Sequence, residues 1–148
     1  MPRGNWGLYG LFDQVLMRFG GPGSNRGLGV TGSLLVSPDQ SISLMPFFTT
    51  AGVVARGIFA SRPTDVGGFG IVYGNFSSDL QDSQQRARQL GSPVGIQRYE
   101  IALELTYRFR FYRDSFFFQP DLQYIIRPGG AGHIPDAFVA GFQVGFNF

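Results

Sequence analysis

The 148-residue sequence contains neither cysteine nor lysine. Without thiols there is no disulfide framework, no sulfur nucleophile and no sulfur-ligated metal. Without lysine, all twelve basic side chains are arginine, the planar, permanently charged kind suited to bidentate contacts. Glu100 and Glu104 are the only glutamates, and a formal net charge of +2 points to neither a nucleic-acid nor an acidic partner. The single histidine, His133, lies in a glycine-rich stretch and gives little support to a Ser-His-Asp arrangement or a histidine metal site. No run approaches the roughly 20 apolar residues of a membrane helix. The opening residues, Met1 to Asn5, also lack the basic and apolar segments of a secretory leader, which for an exported protein implies processing or truncation.

What is abundant is glycine, 22 residues, together with 16% aromatic and 43% hydrophobic content. A glycine- and aromatic-rich chain without helical periodicity reads as all-β. Turn-forming clusters at Gly20 to Arg26, Ser37 to Ser41, Ala60 to Val66, Ser77 to Ile96, Tyr112 to Asp114 and Pro128 to Asp136 divide it into seven strand-like runs. These cover residues 5–19, 27–36, 42–59, 67–76, 97–111, 115–127 and 137–148. Leu80 to Leu90 is the one place where a short helix is expected. Gly20-Gly21-Pro22-Gly23 lacks the lysine and helix of a phosphate loop and reads as a turn.

The fifth run puts Tyr99, Ile101, Leu103, Leu105, Tyr107, Phe109 and Phe111 on one face, with Arg98, Glu100, Ala102, Glu104, Thr106, Arg108 and Arg110 on the other. The sixth alternates in the same way, and the last run sets Phe138, Ala140, Phe142, Val144, Phe146 and Phe148 against Gly141, Gln143, Gly145 and Asn147. Alternation alone fits a lipid-facing barrel or a soluble sandwich. Aromatics gathered at two levels along these strands, and short turns alternating with long polar connections, favour an antiparallel transmembrane β-barrel. With the last residue at the periplasmic edge, the turns at 60–66 and 112–114 are periplasmic and the connections 77–96 and 128–136 external. The odd strand count and the start on the external side lead us to expect a fragment, the C-terminal part of a larger barrel, occupying residues 1–148 as one domain. A complete eight-stranded structural or adhesive barrel is the alternative, and it would require one more strand. A soluble β-sandwich binding module is a third.

A tight turn that aligns Phe111 with Phe116 pairs Arg108 with Gln119, Thr106 with Asp121, Glu104 with Gln123 and Glu100 with Arg127. Such cross-strand pairs contribute about 0.2–1 kcal/mol each. An arginine facing lipid near the midplane costs about 2–4 kcal/mol, so the charged face belongs to the lumen. Glu100, Glu104, Arg108, Arg110, Asp121, Gln123 and Arg127 are therefore the expected pore-lining residues, able to hydrogen-bond a hydroxylated solute; a plain charge ladder is the competing role. The two glutamates are flanked by arginines and nothing suggests the raised pKa of a glycosidase acid. No catalytic residue, metal or cofactor is expected. Two features resist regular alternation. Pro120 predicts a bulge or a missing ladder bond, and Asp13 shares a face with Tyr9, Leu11, Val15 and Met17 unless a bulge reverses the phase.

The string Phe118-Gln119-Pro120-Asp121-Leu122-Gln123-Tyr124-Ile125-Ile126 followed by Pro128-Gly129 resembles the penultimate strand of the carbohydrate-selective porins of the OprB type. Gly7-Leu8-Tyr9 with Asp13-Gln14, Gly57-Ile58-Phe59 with Arg62-Pro63 and Asp65, and Glu100 with Glu104-Leu105-Thr106-Tyr107 match the same family in order. The resemblance implies a sixteen-stranded porin of the bacterial outer membrane. It would pass sugars by diffusion, contact outer-membrane lipid and leave a homo-oligomer open. This chain would supply about its last seven strands.

Overall fold

The structure, a computed structural model, describes residues 4–113 and 115–147. Met1 to Arg3, Asp114 of the tight turn and the terminal Phe148 of the last run lie outside the described residues. The strands are β1 (Leu8–Arg18), β2 (Gly27–Val36), β3 (Phe47–Arg56), β4 (Val66–Asn75), β5 (Tyr99–Phe111), β6 (Phe116–Ile126) and β7 (Ala137–Phe146). They form one seven-stranded sheet in chain order, antiparallel throughout, with β1 and β7 at its edges. The expected helix is α1 (Ser78–Gln89). Ser77 caps it by accepting from the Leu80 N–H, with Asp79 in the first turn and Arg86 and Arg88 in the last, the charge order that complements the helix dipole.

Directly paired residues share a face of the sheet, so the register assigns every strand position to one of two surfaces. One surface carries Leu105, Phe69, Val53 and Val30 in a single row. Aromatic contacts cluster at its two ends: Phe47, Tyr73 and Tyr99 at one, and Phe109, Phe118, Phe111, Phe116 and Phe146 at the other. The sheet has almost no interior of its own. The buried hydrophobic residues among those described are Phe76 and Ala131, and the buried polar ones Asp65 and Ser77; all four belong to connections, not to strands.

Two irregularities follow from the sequence. In β1 the register shifts between Val15 and Met17, so Leu16 is an extra residue that reverses the alternation. That bulge places Asp13 and Arg18 on the same face, opposite Thr31 and Gly27, while Met17 turns to the apolar face with Leu28. At Pro120 no bulge forms. Pairing resumes from Thr106↔Asp121 to Phe109↔Phe118 in unchanged register, because proline removes one ladder donor without adding a residue.

The long connections pack on one another at one end of the sheet. The Ser77 N–H donates to the Leu44 carbonyl, Phe76 N–H to Arg98 O and Arg98 N–H to Gly130 O, while Gln97 bridges to Ala131. Phe76 fills the space over Gly130, whose φ of 73° is left-handed and where a side chain would meet the Phe76 ring. At the other end, Tyr112 and Arg113 both adopt left-handed φ, 51° and 55°, the combination that lets a short turn follow the strand twist.

Candidate functional site

The polar face is organised in rows across the sheet. One row runs Asp13, Thr31, Gly52, Gly70, Glu104, Gln123 and Val139. The next, two residues along each strand and so about 7 Å away, runs Val15, Gly29, Val54, Gly68, Thr106, Asp121 and Gly141. A third places Arg18, Gly27, Arg56, Val66 and Arg108 in line, and Gln119 continues it by accepting from Arg108 Nε at 2.6 Å. Carboxylates thus occupy the first row (Asp13, Glu104) and the second (Asp121) and guanidiniums the third, with glycine at Gly52, Gly70, Gly29, Gly68 and Gly27 on β2 to β4.

Gln123 Nε2 donates to Glu104 Oε2 at 3.1 Å. Arg108 bonds Gln119 and lies 4.5 Å from the Phe117 ring centroid. Thr106 is opposite Asp121, but its hydroxyl accepts from Gln119 Nε2 and donates to the Pro120 carbonyl, while the Asp121 carboxylate lies against bare Gly141. The Glu100–Arg127 pair does not form. Glu100 Oε2 accepts the Gly129 N–H, and the Arg127 guanidinium stacks over Tyr99 at 4.5 Å. The cause is backbone conformation: Arg127 has φ 57°, which ends strand alternation one residue before its side chain would reach Glu100. Arg110 is on the polar face of β5, and its backbone is used near the end of that strand, the N–H bonding Asp65 Oδ1 and the carbonyl accepting from Arg62.

Asp13, Arg18 and Arg56 belong to the same polar face and escape strand-by-strand reading. Their signal is the register: counting rows outward from Glu104 and Arg108 reaches them. They line a cavity of about 180 Å³ with Val15, Arg26 and Gly29 among its walls, and Arg56 Nε is buried there without a hydrogen-bond acceptor.

A second cluster lies in the β3–β4 turn. Asp65, 1% exposed, takes hydrogen bonds from Arg62 Nε and Nη2, from the Arg110 N–H at 2.9 Å and from the Tyr107 hydroxyl at 3.2 Å. Burial alone would raise the Asp65 carboxyl; the bonds from Arg62 and Arg110 outweigh it and hold the pKa below the ordinary value. Arg62 in turn lies over the Phe109 and Phe111 rings, so the turn folds onto the aromatic end of the apolar face.

An edge-open antiparallel sheet, apolar and aromatic-ended on one side and layered with charge on the other, is a section of the wall of a transmembrane β-barrel channel. The comparisons give the particular family. The model of the carbohydrate-selective porin, OprB family, matches residues 1–148, and the chain belongs to that family, whose members are porins of the bacterial outer membrane. It is 30% identical over 131 residues to Porin B of Pseudomonas aeruginosa, covering 82% of this chain and 28% of that protein. The solved high-pH structure of Pseudomonas putida OprB superposes with a TM-score of 0.87 at 30% identity, over 95% of this chain and 34% of the other. The chain therefore spans about a third of the length of these relatives.

Proposed function

We propose that this sheet is the C-terminal part of a single sixteen-stranded barrel through which sugars diffuse passively. Its apolar face would meet outer-membrane lipid. Glu100, Glu104, Arg108, Arg110, Asp121 and Gln123 would face the lumen, with Arg127 at the external mouth. The observation that carries this reading is the layering of the polar face. Acceptors on Asp121 lie one row, and those on Glu104 two rows, from donors on Arg108 and Gln119, so a solute with several hydroxyls can give and take hydrogen bonds in passing without any group changing its charge. Bonds of this kind each contribute about 0.5–1.5 kcal/mol net, or about 1.5–3 to a charged partner, enough to favour a sugar in the pore and weak enough to release it. Such a site performs no bond chemistry, in keeping with a channel.

The test is reconstitution of the outer-membrane protein in liposomes with glucose uptake as the readout. Uptake well above that of empty vesicles is expected. Uptake equal to empty vesicles would overturn the transport reading.

A further inference from the structure

The tier of external connections holds a cavity of about 380 Å³ lined by Arg88, Arg98, Arg127 and His133, with Val94 and Ile96 among its apolar walls. No carboxylate lines it. The two nearest acidic groups by chain position are already engaged: Glu100 accepts the Gly129 N–H, and Asp136 accepts from the Arg127 N–H and the Tyr124 hydroxyl. Among the described residues the ion pair is Arg62–Asp65, at the opposite end of the sheet. Three guanidiniums therefore converge on one concavity without an internal counter-charge, and Arg127 Nε is buried with no acceptor. A buried donor left unpaired is unfavourable, an arrangement that an incoming acceptor relieves.

The backbone is shaped to hold these side chains. The Gln97–Ala131 bridge fixes the two connections against each other. A Cβ at Gly132 would stand 2.8 Å from Arg127 Nη2, and one at Gly95 would collide with the His133 ring, so glycine at both positions is what gives the arginine and the histidine their room. The ring of Tyr99 beneath the Arg127 guanidinium sets its plane.

We infer that this cavity binds an oxyanion of the phosphate class, gripped by Arg98 and Arg127 with Arg88 and His133 completing the donor set. Planar guanidinium forks match phosphate oxygens bidentately, and a phosphate at three such groups needs no other partner. The chemistry is shared by a phosphorylated solute arriving at the mouth and by the phosphates of a surrounding glycolipid. The site goes beyond the proposed sugar path, sharing with it only Arg127 at the mouth.

The experiment uses protein extracted from the outer membrane in a nonionic detergent, at low salt because screening weakens the attraction. Inorganic phosphate is titrated and its ³¹P line width followed. Saturable broadening that sulfate displaces is expected, with at least tenfold weaker binding in an R88Q/R98Q double variant and partial recovery in R98K. Native folding of each variant is checked by the heat-modifiable band on unboiled gels, and G132A, which crowds Arg127 without removing charge, supplies a second weakened variant. Competition by micelles doped with the diphosphorylated glycolipid lipid A would assign the site to lipid; phosphate binding unaffected by lipid A would assign it to a soluble oxyanion. Absence of saturable broadening, or broadening equal in wild type and both weakened variants, overturns the inference.

Discussion

The guanidinium of Arg62 holds the buried carboxylate of Asp65 through two nitrogens and with its second amino group also reaches the Arg110 carbonyl. One side-chain pair therefore locks the β3–β4 turn to the end of β5. Replacing Asp65 with Asn removes the charge while keeping the shape. It should destabilise the folded protein by about 2 kcal/mol, since bonds to charged groups contribute about 1.5–3 kcal/mol each and the partly exposed arginine is screened by water. The shift should be visible as a lower temperature at which the compact gel band converts to the unfolded one.

The same pair gives a pH dependence. Asp65 has a folded pKa below the unfolded carboxylate value of about 3.9. Its contribution is present above that unfolded value and is lost as pH falls through the lowered folded value. Conversion temperatures of wild type and D65N should therefore differ at pH 7 and converge on acidification below about pH 4. Parallel curves down to the lowest accessible pH would show that Asp65 is not the titrating group.

On the polar face, Arg108→Ala removes a fixed cation from the guanidinium row, and Glu104→Gln removes an anion from the carboxylate row two steps along β5. Reversal potentials in planar bilayers under a salt gradient should move toward cation preference in the first and toward anion preference in the second. Ratios of sugar fluxes should change in both. Unchanged potentials and flux ratios would reduce Arg108 and Glu104 to rungs of a structural ladder.

Pro120 leaves a gap between Thr106↔Asp121 and Phe109↔Phe118 without altering register. Pro120→Val restores the missing donor on the β5 side and should add about 0.5–1.5 kcal/mol, the ordinary net contribution of one hydrogen bond. Amide exchange in the flanking β5 residues should slow accordingly. Faster exchange would mean that valine disturbs the Thr106 hydroxyl bond to the carbonyl of residue 120.

β5 and β6 are the most legible part because polar side chains recur at every second position of their central stretches and the register between them is uniform from Phe111↔Phe116 to Ile101↔Ile126. The pairs Arg108–Gln119 and Glu104–Gln123 followed directly from that count. β1 was harder. A period of two cannot show where Leu16 is skipped, so the face of Asp13 depended on a bulge that only the partner strand reveals. The expected Glu100–Arg127 pair fails for a related reason: no residue pattern announces that a non-glycine residue will take a left-handed φ, and that single dihedral swings the Arg127 side chain from Glu100 to Tyr99. The Asp65 cluster joins residues more than forty positions apart, a distance over which alternation carries no information. The packing of the long connections depends on loop-to-loop bonds of the same long-range kind.

The glycines on the polar face of β2 to β4 have a mechanical consequence. Gly52 and Gly70 sit in the row of Glu104, and a Cβ on Gly70 would meet nothing nearer than the Ala51 carbonyl at 3.8 Å. In the proposed pore, the Glu104 row would present long polar chains on β5 and β6 and bare backbone on β3 and β4, where a side chain added at Gly70 would project into open space. A leucine or tryptophan at position 70 would act as a throttle, reducing flow while leaving every charged group and every strand pairing in place.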